Sequence, residues 1–302
     1  MGSRRAVLLD ERAGGRVLGD VDLQAALAVC ARAPVAAVLA TTRLEQAVAG
    51  GLRTAGGSLW GFEHEGELVA VCWAGANLVP VVPVRDPRVA QRALDAFAGL
   101  ARAQGRRCSS IVGAAEPVLG LWDRLSTVWP AAREVRAVQP SMVIDHPPAV
   151  TPDPQVRRSR ADEYGLVLPA CIRMFTEEVG YSPAGGPNGP YETRVRGLIA
   201  AGRSFVRVER EDGRRGPRDT VVFKAELGAV AGGVAQVQGV WVTPERRGER
   251  LSETGMAAVV ELARTADTPV VSLYVNGYNH RAVAAYTAVG FRRVGTYATV
   301  LF

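Results

Sequence analysis

Two short runs in the last third of this 302-residue chain hold residue types from which a reactive site can be built. Residues 238–256 read QGVWVTPERRGERLSETGM. The apolar stretch to Val242 predicts a strand, Pro244 stops it, and Arg247 and Gly248 open a turn into a helix. Such a junction aims unpaired backbone N–H groups and the positive end of a helix dipole at one point, which suits a phosphate or pyrophosphate. Arg246, Arg247 and Arg250 add positive charge there, although basic residues in such a loop are usually just solvated. Residues 279–291 read NHRAVAAYTAVGF. Asn279 suits a helix cap, Ala282 and Tyr286 share one helix face, and Gly290 stands where a helix ends in a left-handed residue. Taken alone, this run is better explained by a cap and a packing tyrosine.

The elements that must position these runs follow from periodicity and turn signals. Four prolines among residues 145–154 predict an extended joint at 147–154, between domains at 1–146 and 155–302. In the first half, helices are expected at 23–33, 42–54, 87–104 and 115–125. Strands are expected there at 58–63, 67–74, 78–84, 109–112 and 134–144. In the second half, helices are expected at 161–179, 191–201, 252–266 and 280–289. Strands are expected at 204–210, 220–229, 233–242 and 270–275, with terminal strands in 291–302 and a charged loop at 211–219. Both halves therefore read as helix pair, hairpin, strand, helix, strand, helix, strand. The fold class is α/β (α+β), an apparent duplication.

Composition narrows the function classes. With 48% apolar and 22% charged residues the chain is an ordinary globular one, and no apolar run is long enough to span a membrane. The apolar residues 6–9 are too few for a secretory signal, so a cytoplasmic location is expected. The net charge of +6 is dispersed over both halves, which disfavours nucleic acid as a partner. Every basic residue except Lys224 is arginine, a bias of a GC-rich genome. Cys30, Cys72, Cys108 and Cys171 match no zinc or disulfide spacing, and His64, His146 and His280 stand apart, so no metal is expected.

Together the two runs resemble the GNAT superfamily of N-acetyltransferases. Its cofactor loop has the pattern Gln/Arg-x-x-Gly-x-Gly/Ala after a strand that ends in Val-x-Pro. Here Val242, Thr243 and Pro244 match, and the loop begins at Arg247. The later family pattern is met at Asn279, Ala282, Tyr286, Gly290 and Phe291. The resemblance covers about 155–302, and the layout is similar to an actinobacterial subgroup with a degenerate amino-terminal GNAT-like domain. It implies two tandem GNAT-like domains, each a mixed, mostly antiparallel sheet flanked by helices. It further implies acetyl-CoA as acyl donor, lying along Val240, Trp241 and Val242, with its pyrophosphate on Arg247, Gly248, Glu249, Arg250, Leu251 and Ser252. Asn279 would approach the pantetheine arm, and Tyr286 would protonate the departing thiolate.

Two departures stand out. Arg250 and Ser252 occupy the loop positions where the family has small residues, and the strand leading to the loop carries Gln236 and Gln238 rather than a glutamate. Glu226, and Glu177 or Glu178 at a helix end near the acceptor, are then the candidate bases, with a base acting through water equally open. The Gly/Pro-rich loop 180–191 brings Tyr181 and Tyr191 to the acceptor side. In the first half, residues 85–90 (RDPRVA) lack glycine and place Asp86 where a phosphate would sit, so no CoA is expected there. The expected activity is acyl-CoA-dependent N-acylation of a small-molecule or peptide amine, with no membrane partner and homodimerisation open. The alternative is a catalytically inactive GNAT-like protein that binds CoA or a metabolite.

Overall fold

The computed structural model describes residues 14–213 and 216–302; the signal-peptide reading of residues 6–9 falls outside them. In chain order the elements are β1 (Gly15–Leu18), α1 (Leu23–Ala31), α2 (Pro34–Gly50), β2 (Ser58–His64), β3 (Glu67–Ala74), β4 (Asn77–Val81), α3 (Pro87–Gln104), β5 (Ser110–Ala114), α4 (Ala115–Leu125) and β6 (Glu134–Ile144). They continue with β7 (Arg157–Arg158), α5 (Tyr164–Val179), α6 (Pro190–Ala200), β8 (Ser204–Gly213), β9 (Gly216–Ala231), β10 (Val234–Val242), α7 (Leu251–Ala263), β11 (Val270–Tyr274), α8 (His280–Val289) and β12 (Arg292–Leu301).

The chain forms two compact units. Among the described residues, one comprises 14–139 with 296–302, and the other lies within 140–295. The boundary therefore falls inside β6, and the end of β12 belongs with the first unit. This differs from the joint expected at 147–154, with the last residues in the second domain. The proline-rich stretch is instead tied into the second unit, where the Asp153 amide donates to the Thr254 carbonyl and the Ala149 amide to that of Val289.

In the first unit the strand order is β1-β2-β3-β4-β5-β12. β4 and β5 run parallel and the other neighbours antiparallel. α3 and α4 pack Phe97, Leu94 and Leu121 on one face of this sheet, against Trp60, Phe62 and Ile111. Tyr297 pins the returning strand, its hydroxyl donating to the carbonyls of Val35 and Ala36 at 2.9 and 3.0 Å. α2 begins eight residues before its expected start. Pro34 stands at its first turn, where the missing N–H costs nothing, and the apolar residues after it continue the helix.

In the second unit the order is β6-β11-β10-β9-β8-β7, with β10 and β11 parallel and the other pairs antiparallel. Alternation divides the sheet's faces. Ala225, Leu227, Ala235, Val237, Val271 and Leu273 join Met256, Val260, Tyr286 and Val289 of α7 and α8 in one core. The opposite face carries Val206 and Trp241 under Val167, Cys171 and Met174 of α5. The expected charged loop at 211–219 is a correction. The β8–β9 ladder continues to Gly213 opposite Gly216, because antiparallel backbone pairing does not require a buried face.

Candidate active site

The strand that leads to the candidate cofactor loop loses one neighbour on the way. β10 pairs with β11 from Val234 opposite Val270 to Val237 opposite Leu273, and the two then part. Beyond that point β10 keeps its pairing with β9, Gln238 opposite Glu226 and Trp241 opposite Lys224. The register slips by one residue between these pairs, at a bulge where Gly239 takes φ +59°. Val240 and Val242 thus lie along a strand edge that β11 has left, as an extended ligand arm requires. The Val242 carbonyl also accepts from Arg247 Nε at 3.1 Å.

After Val242 the chain makes one 3-10 turn over Pro244–Arg246 and reaches α7 through residues 247–250. The amides of Arg246 and Arg247 close that turn, and those of Glu253 and Thr254 both reach the Arg250 carbonyl. Among the described residues, none accepts from the amides of Gly248, Glu249, Arg250, Leu251 or Ser252. Five successive free donors at the start of a thirteen-residue helix make an anion cradle.

Arg250 sits in this cradle at φ +60°, the left-handed region, which explains why a glycine is expected at its position. Its side chain is 71% exposed and turned onto Glu253 at 2.6 Å, so it leaves the amides open. Arg250→Gly is expected to raise the melting temperature by about 1–3 °C through relief of backbone strain, and to preserve ligand binding at the loop. A lower melting temperature would show that the Glu253 pair outweighs the strain. The other loop arginines are likewise engaged: Arg246 with Glu209 and Glu249, and Arg247 with Glu177 at 2.6 Å. Glu177 also accepts from Trp241 Nε1, so it ties the end of α5 to the loop.

α8 carries the second run. Asn279 caps it, Oδ1 accepting from the Ala282 amide at 3.1 Å, and Gly290 ends it at φ +111°. Tyr286 is buried in the α7–α8 core, its ring 6.1 Å from that of Phe291. Its hydroxyl has no hydrogen-bond partner among the described residues. Burial pushes this phenol well above its ordinary range, and the charge of Glu178 adds to the shift, so it stays protonated.

On the α5 face the outcome for Glu226 is different. It is 2% exposed and accepts from Lys224 Nζ at 2.7 Å and from Arg194 at 3.1 Å. Cys171 Sγ lies 3.4 Å from the same carboxylate, and burial pushes that thiol up to about 12. Burial raises the Glu226 carboxyl, but Lys224 and Arg194 outweigh it and hold the group below its ordinary range. Glu226 is therefore a fixed counter-ion for two cations and has little basicity to offer an amine. The alternation of β9 placed Lys224 and Glu226 on one face in the sequence already; nothing in the sequence pointed to Arg194.

The acceptor-side residues fall into one neighbourhood. Tyr191 donates to the Cys171 carbonyl at 2.9 Å, and its ring and that of Tyr181 stand edge-on to Phe175 at 5.4 and 5.5 Å. Glu178 is exposed at the end of α5, and its charge reaches both Tyr191 and Tyr286. Among the described residues, no group of three or more His, Cys, Asp or Glu could hold a metal ion.

Residues 190–291, which hold the parted strands, the cradle and Tyr286, match the acetyltransferase (GNAT) family. The chain carries a GNAT acetyltransferase domain. Residues 57–167 match a separate family described as a domain of unknown function. No curated protein matches the chain significantly. Among solved structures, a Drosophila protein aligns at TM-score 0.59 and 14% identity, covering 96% of this chain and 98% of that one. A GCN5-related N-acetyltransferase from Sphaerobacter thermophilus aligns at 0.54 and 16%, covering 94% and 93%. A tandem GNAT protein from the clavulanic acid biosynthesis pathway aligns at 0.51 and 14%, covering 95% and 98%. The fold is accordingly that of two tandem GNAT-like domains.

The first unit repeats the acetyltransferase domain's layout without its cradle. β4 and β5 pair only from Asn77 opposite Ser110 to Leu78 opposite Ile111. α3 then starts at Pro87, which has no N–H, and the Arg88 amide is taken by the Asp86 carboxylate at 2.8 Å. An anion would meet a carboxylate where the acetyltransferase domain offers free donors.

Proposed function

We propose that the second unit transfers an acetyl group from acetyl-CoA to a primary amine, and that the first unit holds no CoA. The observation that carries this reading is the row of five unpaired amides, Gly248 to Ser252, beside the strand edge that β11 leaves. The residues present fit the donor: the cradle suits its pyrophosphate, and the freed edge at Val240 and Val242 suits its pantetheine arm. Bound there, acetyl-CoA would supply a thioester on which the C–N bond forms as the C–S bond breaks.

The remaining roles belong to this chain. Tyr286, protonated and without a hydrogen-bond partner among the described residues, gives its proton to the departing thiolate and recovers one from solvent. Glu178, whose charge reaches Tyr286, takes the proton that the nitrogen sheds and passes it to water. The aromatic group of Phe175, Tyr181 and Tyr191 forms the wall that meets the acceptor, a small molecule or a peptide amine. The alternative of an inactive CoA-binding protein loses its main support, because Arg250 turns away from the cradle.

Acetyl-CoA at about one hundred times its Kd is expected to stabilise the protein by about 2.7 kcal/mol, a rise of several degrees in melting temperature. CoA release should then require an amine. An unchanged melting temperature would count against the donor, and binding without release for any amine would favour the inactive alternative.

A further inference from the structure

Two polar residues occupy paired positions facing α5's side of the sheet immediately before β10 and β11 part. Gln236 and Ser272 stand opposite each other in the parallel register, one pair before Val237 and Leu273, the last pair of that ladder. They are 1% and 0% exposed. Among the described residues, none gives Gln236 Oε1 or Ser272 Oγ a hydrogen-bond partner. An orphaned buried polar atom of this kind costs about 1–3 kcal/mol. Here two belong to residues paired in register, where a hydrophobic pair would fill the positions at no such cost. Gln238, the next polar residue of β10 on this face, lies flat across Gly228, where an added Cβ would stand 2.1 Å from its amide carbon. That leaves Gln236 as the amide at the vertex.

The opposite face at the same point belongs to Tyr286, which packs in one core with Ala235, Val237 and Leu273. The proton donor for the thiolate and the orphaned pair therefore stand on opposite faces of the vertex at which the thioester would lie. We infer that Gln236 and Ser272 hold the acceptor's nucleophilic nitrogen, and hold it as the free base. The inference rests on the acetyl-transfer reading above.

The selectivity follows from the donor inventory. A primary amine has two N–H bonds and one lone pair. Gln236 Oε1 and Ser272 Oγ can accept the two N–H bonds, which leaves the lone pair free to face the carbonyl carbon. An ammonium has three donors and a full charge, and this pair offers it no carboxylate; the buried Glu226, opposite Gln238 on β9, is already engaged by Lys224 and Arg194. Burying an ammonium against two neutral oxygens is costly. The acceptor class is thus a weakly basic primary amine, such as an α-amino amide, in preference to a strongly basic alkylamine or polyamine.

The test compares the full-length protein with Gln236→Met and Ser272→Ala, using glycinamide, L-alaninamide, ethylamine and spermidine as acceptors. Direct titration with acetyl-CoA first checks the donor site; failure there sinks the acetyl-transfer reading itself. Given donor binding, the amino amides are expected to be acetylated faster than ethylamine or spermidine. Each substitution should raise the KM of the amide at least tenfold, leave the Kd of acetyl-CoA unchanged, and keep or raise the melting temperature. Purely structural orphans would raise the melting temperature and leave the KM alone, which would overturn the inference. So would a donor-binding protein that acetylates spermidine best, or that acetylates none of the four amines.

Discussion

Tyr286→Phe is expected to slow acetyl transfer by about a hundredfold, within the range of general-acid effects, and to leave acetyl-CoA affinity intact. The variant is unusually clean. The hydroxyl has no partner among the described residues, and its loss leaves the packing against Phe291 and the α7–α8 core in place. The melting temperature should therefore stay the same. The phenol is also raised by burial, so its acid form is present throughout the ordinary working range. The wild-type rate should show no alkaline fall from this group below about pH 10, since an acid is lost only as pH rises through its folded pKa. Steady-state kinetics across pH check both statements. An unchanged rate in the phenylalanine variant would remove Tyr286 from proton transfer.

The second large effect concerns stability. Lys224, the one lysine of the chain, is fully buried against Glu226. Lys224→Met keeps the side chain's length but removes the cation nearest a buried carboxylate. Breaking such a pair costs about 3–5 kcal/mol, a fall on the order of 10 °C in melting temperature. The double variant with Glu226→Leu should recover much of the loss, because the desolvation penalty disappears with the charges. Its remaining deficit comes from Arg194, which then lacks its carboxylate. The sign of the pH dependence follows from the two directions. Glu226 is held below its ordinary 4.5, so its contribution is present above that value and is lost as pH falls through the folded pKa. Lys224 is held above its ordinary 10.5, so its contribution is present below that value and is lost as pH rises through the folded pKa. Stability from this pair is thus level between about pH 4.5 and 10.5. Calorimetric melting of the single and double variants decides the matter; equal melting temperatures for wild type and Lys224→Met would contradict it.

Where the sequence could be read, it was read through backbone punctuation. Pro244 and Gly248 marked the loop, Asn279 and Gly290 bounded α8, and the structure shows the cap and the left-handed residue there. The glycine-to-arginine departure at position 250 was visible as an anomaly, but its resolution was not. Only the fold shows that the position has positive φ and that Glu253 draws the side chain outward. Glu226 illustrates the opposite limit. Its residue type suggested a base, and its partner Arg194 lies 32 positions away on a helix whose orientation no local pattern gives. Gln236 and Ser272 were out of reach for the same reason, since parallel register between residues 36 positions apart is a tertiary fact. The returning strand escaped as well, because pairing of Tyr297 with Ala114 is set by the fold and not by the residues beside either one.

The central claim is that one half of a duplicated fold keeps a donor cradle and the other half has filled it. Calorimetric titration of the full chain with acetyl-CoA addresses both parts at once. Five free amides at α7, set against Pro87 and the Asp86-capped Arg88 amide at α3, predict one site per chain. No heat of binding, or two sites per chain, would contradict the account.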